Sequence, residues 1–397
     1  MTFDTSRLAR LDTHFRKYVD GGRLPGWQVT VGQHGDLVHS STYGLADLEV
    51  GRPVADDTLW RIYSMTKPIV SVAAMQLWEL GLFELTDPVS RWIPSFADVQ
   101  VFAGGSNAKA FVEPATEPVR MWHLLTHTSG LTYGFMQLHP VDALYRQAGL
   151  DLEYPPGLDL AAACDLLATM PLKFQPGTAW SYGVSTDVLG RVLEVITGKP
   201  LDAVLEDQVL GPLGMTDTRW WVDGPDTERL AALYVPSPSG LVRHDGLGKA
   251  ALKKPAVLNG GGGLISTAAD YWRFCQMVLR RGEFDGERIL GPRTLQLMAR
   301  NHLPGGADLA AVNSGGFSES IFDGVGFGLG FAMIEDSVPG KTAASEGELY
   351  WGGLASTAFW IDRSTGVTAA FYTQLMPSST YPIRSQLRQL VYAALLD

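Results

Sequence analysis

The sequence predicts an α+β fold: one antiparallel sheet built from both ends of the chain and flanked by terminal helices, with a mainly helical subdomain inserted between the ends. Three observations predict it. Strand-like alternation follows the first helix, helical spacing dominates the middle, and strand-like alternation returns near the end. We expect an α/β subdomain of residues 1–88 and 245–397, a helical subdomain of residues 89–244, and a cleft at their junction.

The segments predicted to form the sheet lie close to the two ends of the chain. Residues 27–31 and 37–40 alternate on either side of the turn His34-Gly35-Asp36, which predicts a β-hairpin. Amphipathic helices at residues 4–20 and 381–396 are expected to cover the sheet. The later strands are predicted at residues 326–333, 348–351, 356–361 and 367–374.

Helices are predicted where apolar residues recur at three- and four-residue spacings, and several of them end at a glycine. Thr267 and Asp270 have the spacing of a helix-capping box. Residues 101–117 and 302–323 lack periodicity and are predicted to be mobile loops. The predicted helices of the middle are residues 64–80, 119–126, 158–169, 184–197, 200–209 and 267–281.

Composition and charge exclude several classes of function. Of the 397 residues, 46% are hydrophobic and 18% charged, which is typical of a globular enzyme. A net charge of −11 without a basic cluster argues against a nucleic-acid partner. No apolar run has the length of a membrane span or a signal peptide, so we expect a cytoplasmic protein without a membrane partner. Cys164 and Cys275 are expected in the core, which leaves no disulfide framework and no metal site.

Ser64 and Lys67 are the strongest candidates for chemistry. They lie three residues apart in Ser64-Met65-Thr66-Lys67, at the start of a predicted helix, so their side chains share one face. The hydroxyl would lie at the positive end of the helix dipole. A lysine in apolar surroundings is easier to deprotonate, so the pattern predicts a serine nucleophile with a lysine base.

A second match, Ser106-Asn107-Ala108-Lys109, shows that the four-residue pattern alone is weak. This match lies in a glycine-rich segment and no apolar helix follows it. Lys67, in contrast, is followed by Pro68, Ile69 and Val70 in a predicted helix. The surroundings therefore favour Ser64 as the nucleophile.

Five motifs in order along the chain carry a resemblance to a known family. Together they resemble the serine β-lactamase-like family, which includes class C β-lactamases and penicillin-binding proteins, and within it the family VIII carboxylesterases. The resemblance extends from about residue 27 to residue 375 and implies a β-lactamase/transpeptidase-like fold. The motifs are Ser64 to Lys67, Leu124 to Leu131, Pro176 to Tyr182, Asn259 to Leu264, and Tyr350 to Gly353.

The resemblance also implies roles for individual residues. Tyr182 matches the catalytic tyrosine, which relays a proton between nucleophile, lysine and leaving group, and its pKa is expected to be lowered by the lysine ammonium. Trp351-Gly352-Gly353 matches the strand along which substrate binds. The backbone amides of Ser64 and Leu354 would form the oxyanion hole.

Two positions depart from the pattern of the β-lactamases. Trp351 stands where those enzymes carry lysine or histidine in the strand motif. Val184 replaces an asparagine two residues after Tyr182. Both departures favour neutral esters over lactams that carry a carboxylate. Aromatic residues that flank the motifs predict an apolar substrate pocket; they are Tyr133, Phe135, Trp180, Tyr350 and Trp351.

Other polar clusters are predicted to be structural. His123 and His127 lack the glutamate of a metalloprotease motif. The glycines at 260–263 lack the residues that follow a phosphate loop, so they predict a tight backbone passage. The G-x-S-x-G elbow of the α/β-hydrolases is absent from the sequence. A triad of Ser129, His127 and Asp187 stays open as an alternative that no spacing supports.

We therefore predict a serine carboxylesterase that hydrolyses small, short-chain esters through an acyl-enzyme on Ser64, without a metal or cofactor. A β-lactamase, a D-amino acid peptidase and an acyltransferase would use the same residues and stay open as alternatives. So does a non-hydrolytic penicillin-binding module that remains acylated.

Overall fold

The computed structural model describes residues 2–313 and 322–396. The helices are α1 (Thr5–Asp20), α2 (Thr66–Glu79), α3 (Met121–Thr126), α4 (Pro140–Gln147), α5 (Leu160–Ala168), α6 (Ser185–Thr197), α7 (Leu201–Leu205), α8 (Asp245–Ala250), α9 (Ala268–Leu279), α10 (Pro292–Met298), α11 (Leu309–Val312) and α12 (Ile383–Ala394). The strands are β1 (Thr2–Phe3), β2 (Gly26–Gln33), β3 (Asp36–Asp47), β4 (Arg52–Pro53), β5 (Trp60–Arg61), β6 (Gln100–Ser106), β7 (Lys109–Pro114), β8 (Tyr234–Ser237), β9 (Gly240–Arg243), β10 (Ile265–Ser266), β11 (Glu283–Phe284), β12 (Glu287–Arg288), β13 (Val325–Phe327), β14 (Ala332–Ile334), β15 (Leu349–Gly352), β16 (Ala358–Asp362), β17 (Val367–Tyr372) and β18 (Leu395–Leu396).

The largest sheet has eight antiparallel strands in the order β13-β14-β15-β16-β17-β2-β3-β4. Its centre joins the two ends of the chain, because β2 pairs with β17. Val29 lies opposite Phe371, and Thr30 lies opposite Ala370. The predicted α+β fold with a sheet assembled from both chain ends is confirmed.

Helix α1 covers one face of this sheet. It begins after Asp4, whose carboxylate accepts hydrogen bonds from N–H groups of the first turn. Leu8, Leu11 and Phe15 follow the helical spacing and are buried, and the Phe15 ring lies 4.7 Å from that of Phe371 on β17. Helix α12 packs beside α1 and completes this layer.

The other face of the sheet packs against α9. The Tyr271 ring of α9 lies 5.0 Å from that of Phe359 on β16. The Tyr271 hydroxyl also donates a hydrogen bond to the carbonyl of Met65 (3.0 Å), which ties α9 to the segment before α2. Helix α2 is almost completely buried and contacts α6, which also packs against α3, α5 and α7. The subdomain boundaries at residues 88 and 245 stay a prediction.

Most of the predicted helices are present with ends shifted by a few residues. The helix expected from residue 64 begins as α2 at Thr66 and is preceded by a 3₁₀ turn. Thr267 caps α9 by accepting a hydrogen bond from the Asp270 amide (3.2 Å), but the Asp270 carboxylate is bonded to the Asp217 amide and the Thr218 hydroxyl, so only the N-cap half of the predicted capping box is present. Cys164 and Cys275 are buried free thiols, as expected.

Three expectations about irregular segments need correction. Residues 101–117 do not form a loop: β6 and β7 form a hairpin, whose alternation is broken by an irregularity in register between Phe102 and Gly104. The middle of the chain also contains the β8–β9 hairpin, so strands are not confined to the two ends. The strand predicted at residues 326–333 is two strands, β13 and β14, because the chain reverses through Gly330 at φ +94°.

The predicted mobile loop at residues 302–323 is only partly described. Residues 302–313 include helix α11, whose first turn is capped by the Asp308 carboxylate. Residues 314–321 lie outside the described ranges. In the parts of the chain that are described, no helix combines the length and the apolar character needed to cross a bilayer.

Candidate active site

Ser64 lies in the 3₁₀ turn Tyr63–Met65, immediately before α2. The chain on either side of it is fixed to the segment that follows the glycine run. Strand β5 pairs with β10, and the Ile62 amide donates to the Leu264 carbonyl (3.0 Å). In return the Leu264 amide donates to the Thr66 hydroxyl (3.1 Å). These bonds hold the serine at the start of the helix.

The backbone of Tyr63 adopts φ +44°, in the left-handed region that a tyrosine rarely occupies. Strained conformations of this kind persist where the surrounding bonds determine the path of the chain. Here the strain falls on Tyr63, the residue before Ser64, and both residues line one pocket. Ser64 itself lies at the N-terminal end of α2, where the helix dipole favours negative charge on oxygen.

Lys67 is buried in the first turn of α2, with 1% of its surface exposed. Its amine donates to the hydroxyl of Ser64 (3.2 Å), the hydroxyl of Tyr133 (2.9 Å) and the carbonyl of Gly261 (2.6 Å). Burial lowers the pKa of Lys67 to about 7, and the nearby Asp187 carboxylate opposes this shift. A desolvated lysine beside Ser64 agrees with the sequence-based expectation.

Tyr182 contacts both Ser64 and Lys67. Its phenol shares a hydrogen bond with the Ser64 hydroxyl and accepts one from the Trp351 indole N–H (3.0 Å). The Lys67 amine lies 4.5 Å from the centroid of its ring. Trp180 stacks on Tyr182 at 6.0 Å and 18°, and this packing fixes the orientation of the phenol.

The pKa of Tyr182 is raised, so the expectation of a lowered pKa is wrong. Burial raises it, and the hydrogen bonds from Ser64 and Trp351 and the charge of Arg384 oppose that effect without cancelling it. The phenol therefore keeps its proton at neutral pH. In this state Tyr182 can donate a proton, whereas Lys67 is the group able to accept one.

Strand β15 brings the Trp351 motif to the opposite wall of the pocket. Trp351, Gly352 and Leu354 line the pocket, while Gly353 lies against the carbonyl of Ile62, where a Cβ atom would collide. A glycine at 353 thus lets the strand approach the nucleophile segment closely. Within residues 2–313 and 322–396, no acceptor is bonded to the Leu354 amide, which leaves it able to bind a substrate oxygen.

Between these walls lies a cavity of about 140 Å³ that opens to solvent. Tyr133 and Phe135 stack at 4.8 Å and 22° on one side of it. Trp180 does not line the pocket: it is completely buried and packs behind Tyr182, so its expected role in the pocket is corrected to support of the tyrosine. The aromatic and aliphatic lining residues are Tyr63, Tyr133, Phe135, Leu150, Leu152, Tyr154, Tyr182, Val184, Leu247, Phe322, Tyr350, Trp351 and Leu354.

Sequence analysis did not place two charged residues, Asp187 and Arg384, at the pocket. Asp187 of α6 is 2% exposed, and its carboxylate accepts a hydrogen bond from the Gly261 amide (3.0 Å). Burial raises its pKa to about 6, and Lys67 opposes that shift. Arg384 of α12 donates to the carbonyls of Gly353 and Thr357, at 3.1 Å each.

The alternative triad of Ser129, His127 and Asp187 is not assembled. The Ser129 hydroxyl pairs with that of Ser185 (2.9 Å), and Asp187 binds the Gly261 amide. The His127 ring packs against Tyr182, with centroids 5.0 Å apart. Among the described residues, no cluster of histidine, cysteine and acidic side chains could hold a metal ion.

The second Ser-x-x-Lys match has a different structure. Ser106 ends β6 and Lys109 begins β7, and the two residues lie opposite each other at the tip of an exposed hairpin. Neither lines the pocket that contains Ser64.

A serine held at a helix start, a buried lysine three residues later and a tyrosine in contact with both define a serine hydrolase of the β-lactamase type. The Beta-lactamase family matches residues 11–393. The chain belongs to this family, in the serine β-lactamase-like superfamily.

Similar proteins support this assignment over the length of the chain. The chain is 35% identical over 365 residues to protein Rv1367c of Mycobacterium tuberculosis, with 91% of this chain and 88% of that one covered. It is 34% identical over 407 residues to esterase EstB of Burkholderia gladioli, with 98% and 96% covered. The solved structure of EstCE1, a hydrolase with promiscuous acyltransferase activity, has a TM-score of 0.82 at 29% identity, with 98% and 99% covered.

Proposed function

We propose that this protein is a serine carboxylesterase that hydrolyses small carboxylic esters with short chains through a covalent acyl-enzyme on Ser64. One observation carries the proposal: the Lys67 amine is buried, has a pKa near 7 and lies 3.2 Å from Ser64 Oγ. A lysine in this state is available as a base at neutral pH. The similarity to EstB, an esterase, and to EstCE1, a hydrolase, supports the same class of reaction.

The first half of the reaction forms the acyl-enzyme. Neutral Lys67 takes the hydroxyl proton of Ser64 while Oγ forms a bond to the carbonyl carbon of the ester. The carbonyl oxygen becomes negatively charged and is bound by the backbone N–H groups of Ser64 and Leu354. Tyr182 donates its proton to the alcohol oxygen as the C–O bond breaks, and the Lys67 ammonium restores that proton.

The second half releases the acid. Lys67, again neutral, takes a proton from a water molecule whose oxygen attacks the acyl carbon. The bond to Ser64 Oγ then breaks, and the serine oxygen regains a proton from Tyr182 or Lys67. The sum is one ester and one water converted to an acid and an alcohol. The scheme uses only side chains and backbone groups of this chain.

The charges of the pocket favour a substrate without a carboxylate. Trp351 offers no positive charge in the strand motif, and the Arg384 guanidinium is bonded to backbone carbonyls. Asp151 and Glu153 line the exposed mouth of the pocket and would repel an anion. This balance supports neutral esters over β-lactams.

Acyl transfer to an alcohol is a second candidate. The pocket beside Ser64 is lined largely by apolar side chains and opens to solvent, so an acceptor alcohol can reach the acyl-enzyme. In this reaction the alcohol replaces water in the second half, with the same proton transfers. EstCE1, with its similar fold, combines hydrolase and acyltransferase activity in one protein.

A cytoplasmic location is also part of the proposal. Both cysteines, Cys164 and Cys275, are buried free thiols rather than a disulfide. Proteins of reducing compartments typically keep their thiols in this form.

The test compares substrates on the wild-type chain. A p-nitrophenyl short-chain ester should be hydrolysed much faster than nitrocefin or a D-alanine p-nitroanilide, and intact-mass analysis should show an adduct that disappears as substrate is consumed. An adduct that persists would indicate a non-hydrolytic penicillin-binding module instead. Faster cleavage of nitrocefin would identify a β-lactamase, and product analysis with added alcohol would measure transfer.

A further inference from the structure

Gly261 lies between the lysine of the active site and a buried carboxylate. Its carbonyl oxygen accepts a hydrogen bond from the Lys67 amine (2.6 Å), and its amide donates one to Asp187 Oδ1 (3.0 Å). One residue of the glycine run therefore connects the base to an acid that has no direct hydrogen bond to it among the described contacts.

A side chain at residue 261 would displace its neighbours. A Cβ atom on residue 261 would lie 2.8 Å from Asp187 Oδ2 and 3.1 Å from the Tyr133 hydroxyl. A side chain would thus push the carboxylate or the phenol away from the lysine. The glycine run, which the sequence predicts to be a tight backbone passage, delivers a carbonyl oxygen to Lys67.

We propose that Asp187 is a positioning residue that, acting through Gly261, holds the Lys67 amine against Ser64 and sets the pH range over which this amine accepts the serine proton. The inference rests on the proposed function, because it takes Lys67 as the base. It adds a residue that does not touch the reacting atoms.

The electrostatic part follows from the burial of both groups. Burial lowers the pKa of Lys67 to about 7, and the Asp187 carboxylate opposes the shift by stabilising the ammonium. Burial raises the pKa of Asp187 to about 6, and the lysine opposes that shift in turn. The two groups therefore titrate as a coupled pair.

The buried phenols, thiol and imidazole that face the pair stay neutral near neutral pH. Burial raises the pKa values of the phenols and thiol that face the pair, and it lowers the pKa of the imidazole. Arg384 keeps its charge, because its pKa is lowered by burial only to about 10. On α6, Arg191 and Glu194 are paired with each other at 3.0 Å. The neutral groups are Tyr133, Tyr154, Cys164, Tyr182 and His127.

The experiment measures kcat/KM for a p-nitrophenyl short-chain ester against pH in Asp187→Asn. The amide oxygen can still accept the Gly261 hydrogen bond, but the negative charge is gone. Loss of that charge favours the neutral amine, so the acidic limb of the profile should move down by about one pH unit. We also expect kcat to fall by about tenfold, because a neutral amide holds the Gly261 N–H less strongly than a carboxylate does and the Lys67 amine is then less firmly aligned.

Matched variants separate this role from a merely structural one. Asp187→Glu restores the charge and should return the limb toward its wild-type position. Asp270→Asn is the control: Asp270 is also buried, and its carboxylate accepts from Thr218 and the Asp217 amide. That variant should have a lower Tm, and the acidic limb of its profile of kcat/KM against pH should stay at the wild-type position.

An acidic limb that stays in place in Asp187→Asn, with Tm lowered as in Asp270→Asn, would overturn the inference. If Asp187→Asn does not fold, Asp187→Ser supplies a smaller uncharged side chain with the same expected shift. Failure of the proposed function would look different, since the wild-type chain itself would then show no ester hydrolysis.

Discussion

The chain contains two Ser-x-x-Lys sequences: one lies at the start of a helix, and the other lies at the tip of a β-hairpin. Ser64 and Lys67 lie on one face at the start of α2, and the lysine is buried against the nucleophile. Ser106 and Lys109 face each other across the exposed tip of the β6–β7 hairpin. The same residue types therefore meet with the lysine shielded from water only where a helix aligns them.

Burial of the lysine accounts for the larger part of the difference between the two Ser-x-x-Lys sites. An ammonium in water keeps its hydration, and nothing then favours the loss of its proton. At Lys67 burial lowers the pKa to about 7, so a large fraction of the amine is neutral under ordinary conditions. The hairpin offers its lysine no comparable environment, since its residues are exposed.

Apart from the serine variants, replacement of the two lysines should give the largest difference in kcat/KM between the two Ser-x-x-Lys sites. Lys67→Met removes the base and should lower kcat/KM by about a thousandfold. Methionine has a similar unbranched shape, so the fold should be retained, and Tm should fall because the buried Asp187 carboxylate loses the opposite charge of Lys67. Lys109→Met should change kcat/KM by less than about twofold. Equal losses of kcat/KM in both variants would show that burial does not explain the difference between Lys67 and Lys109.

Tyr182 should contribute less to the rate than Lys67, and its contribution should depend on the leaving group of the ester. Tyr182→Phe removes the proton donor and should lower kcat by about a hundredfold. The loss should be greater for an ethyl ester than for a p-nitrophenyl ester, because nitrophenolate leaves without protonation.

A matched control for Tyr182 is Tyr145→Phe, since Tyr145 is buried in the core and lies outside the pocket lining. That variant should leave kcat within about twofold of wild type. A Tyr182→Phe loss of the same size for both esters would mean that the phenol does not protonate the leaving alcohol.

Local patterns were sufficient to predict much of the fold. The apolar stripe of α1, the β2–β3 hairpin and the Thr267 cap depend on residues a few positions apart, and each is present. The Ser64–Lys67 pair belongs to the same class, because its geometry depends on helical spacing. The β6–β7 hairpin was missed because an irregular register interrupts its alternation.

Contacts between distant segments could not be predicted in the same way. Asp187 shares helical spacing with Arg191 and Glu194, so its pattern resembles a solvated face of α6, yet it is buried beside Gly261. Tyr133 was predicted to line the pocket, but its hydrogen bond to Lys67 joins residues 66 positions apart. Such pairings depend on tertiary packing, which single-sequence periodicity does not encode.

Ester hydrolysis by Ser64→Ala beside Ser106→Ala tests the central claim most directly. Ser64→Ala should lower kcat/KM by at least about a thousandfold, as expected when a nucleophile is removed, and should form no acyl adduct by intact mass. Ser106→Ala should keep the activity and the transient adduct of the wild-type chain. Loss of activity in Ser106→Ala with activity retained in Ser64→Ala would contradict the assignment of the active site.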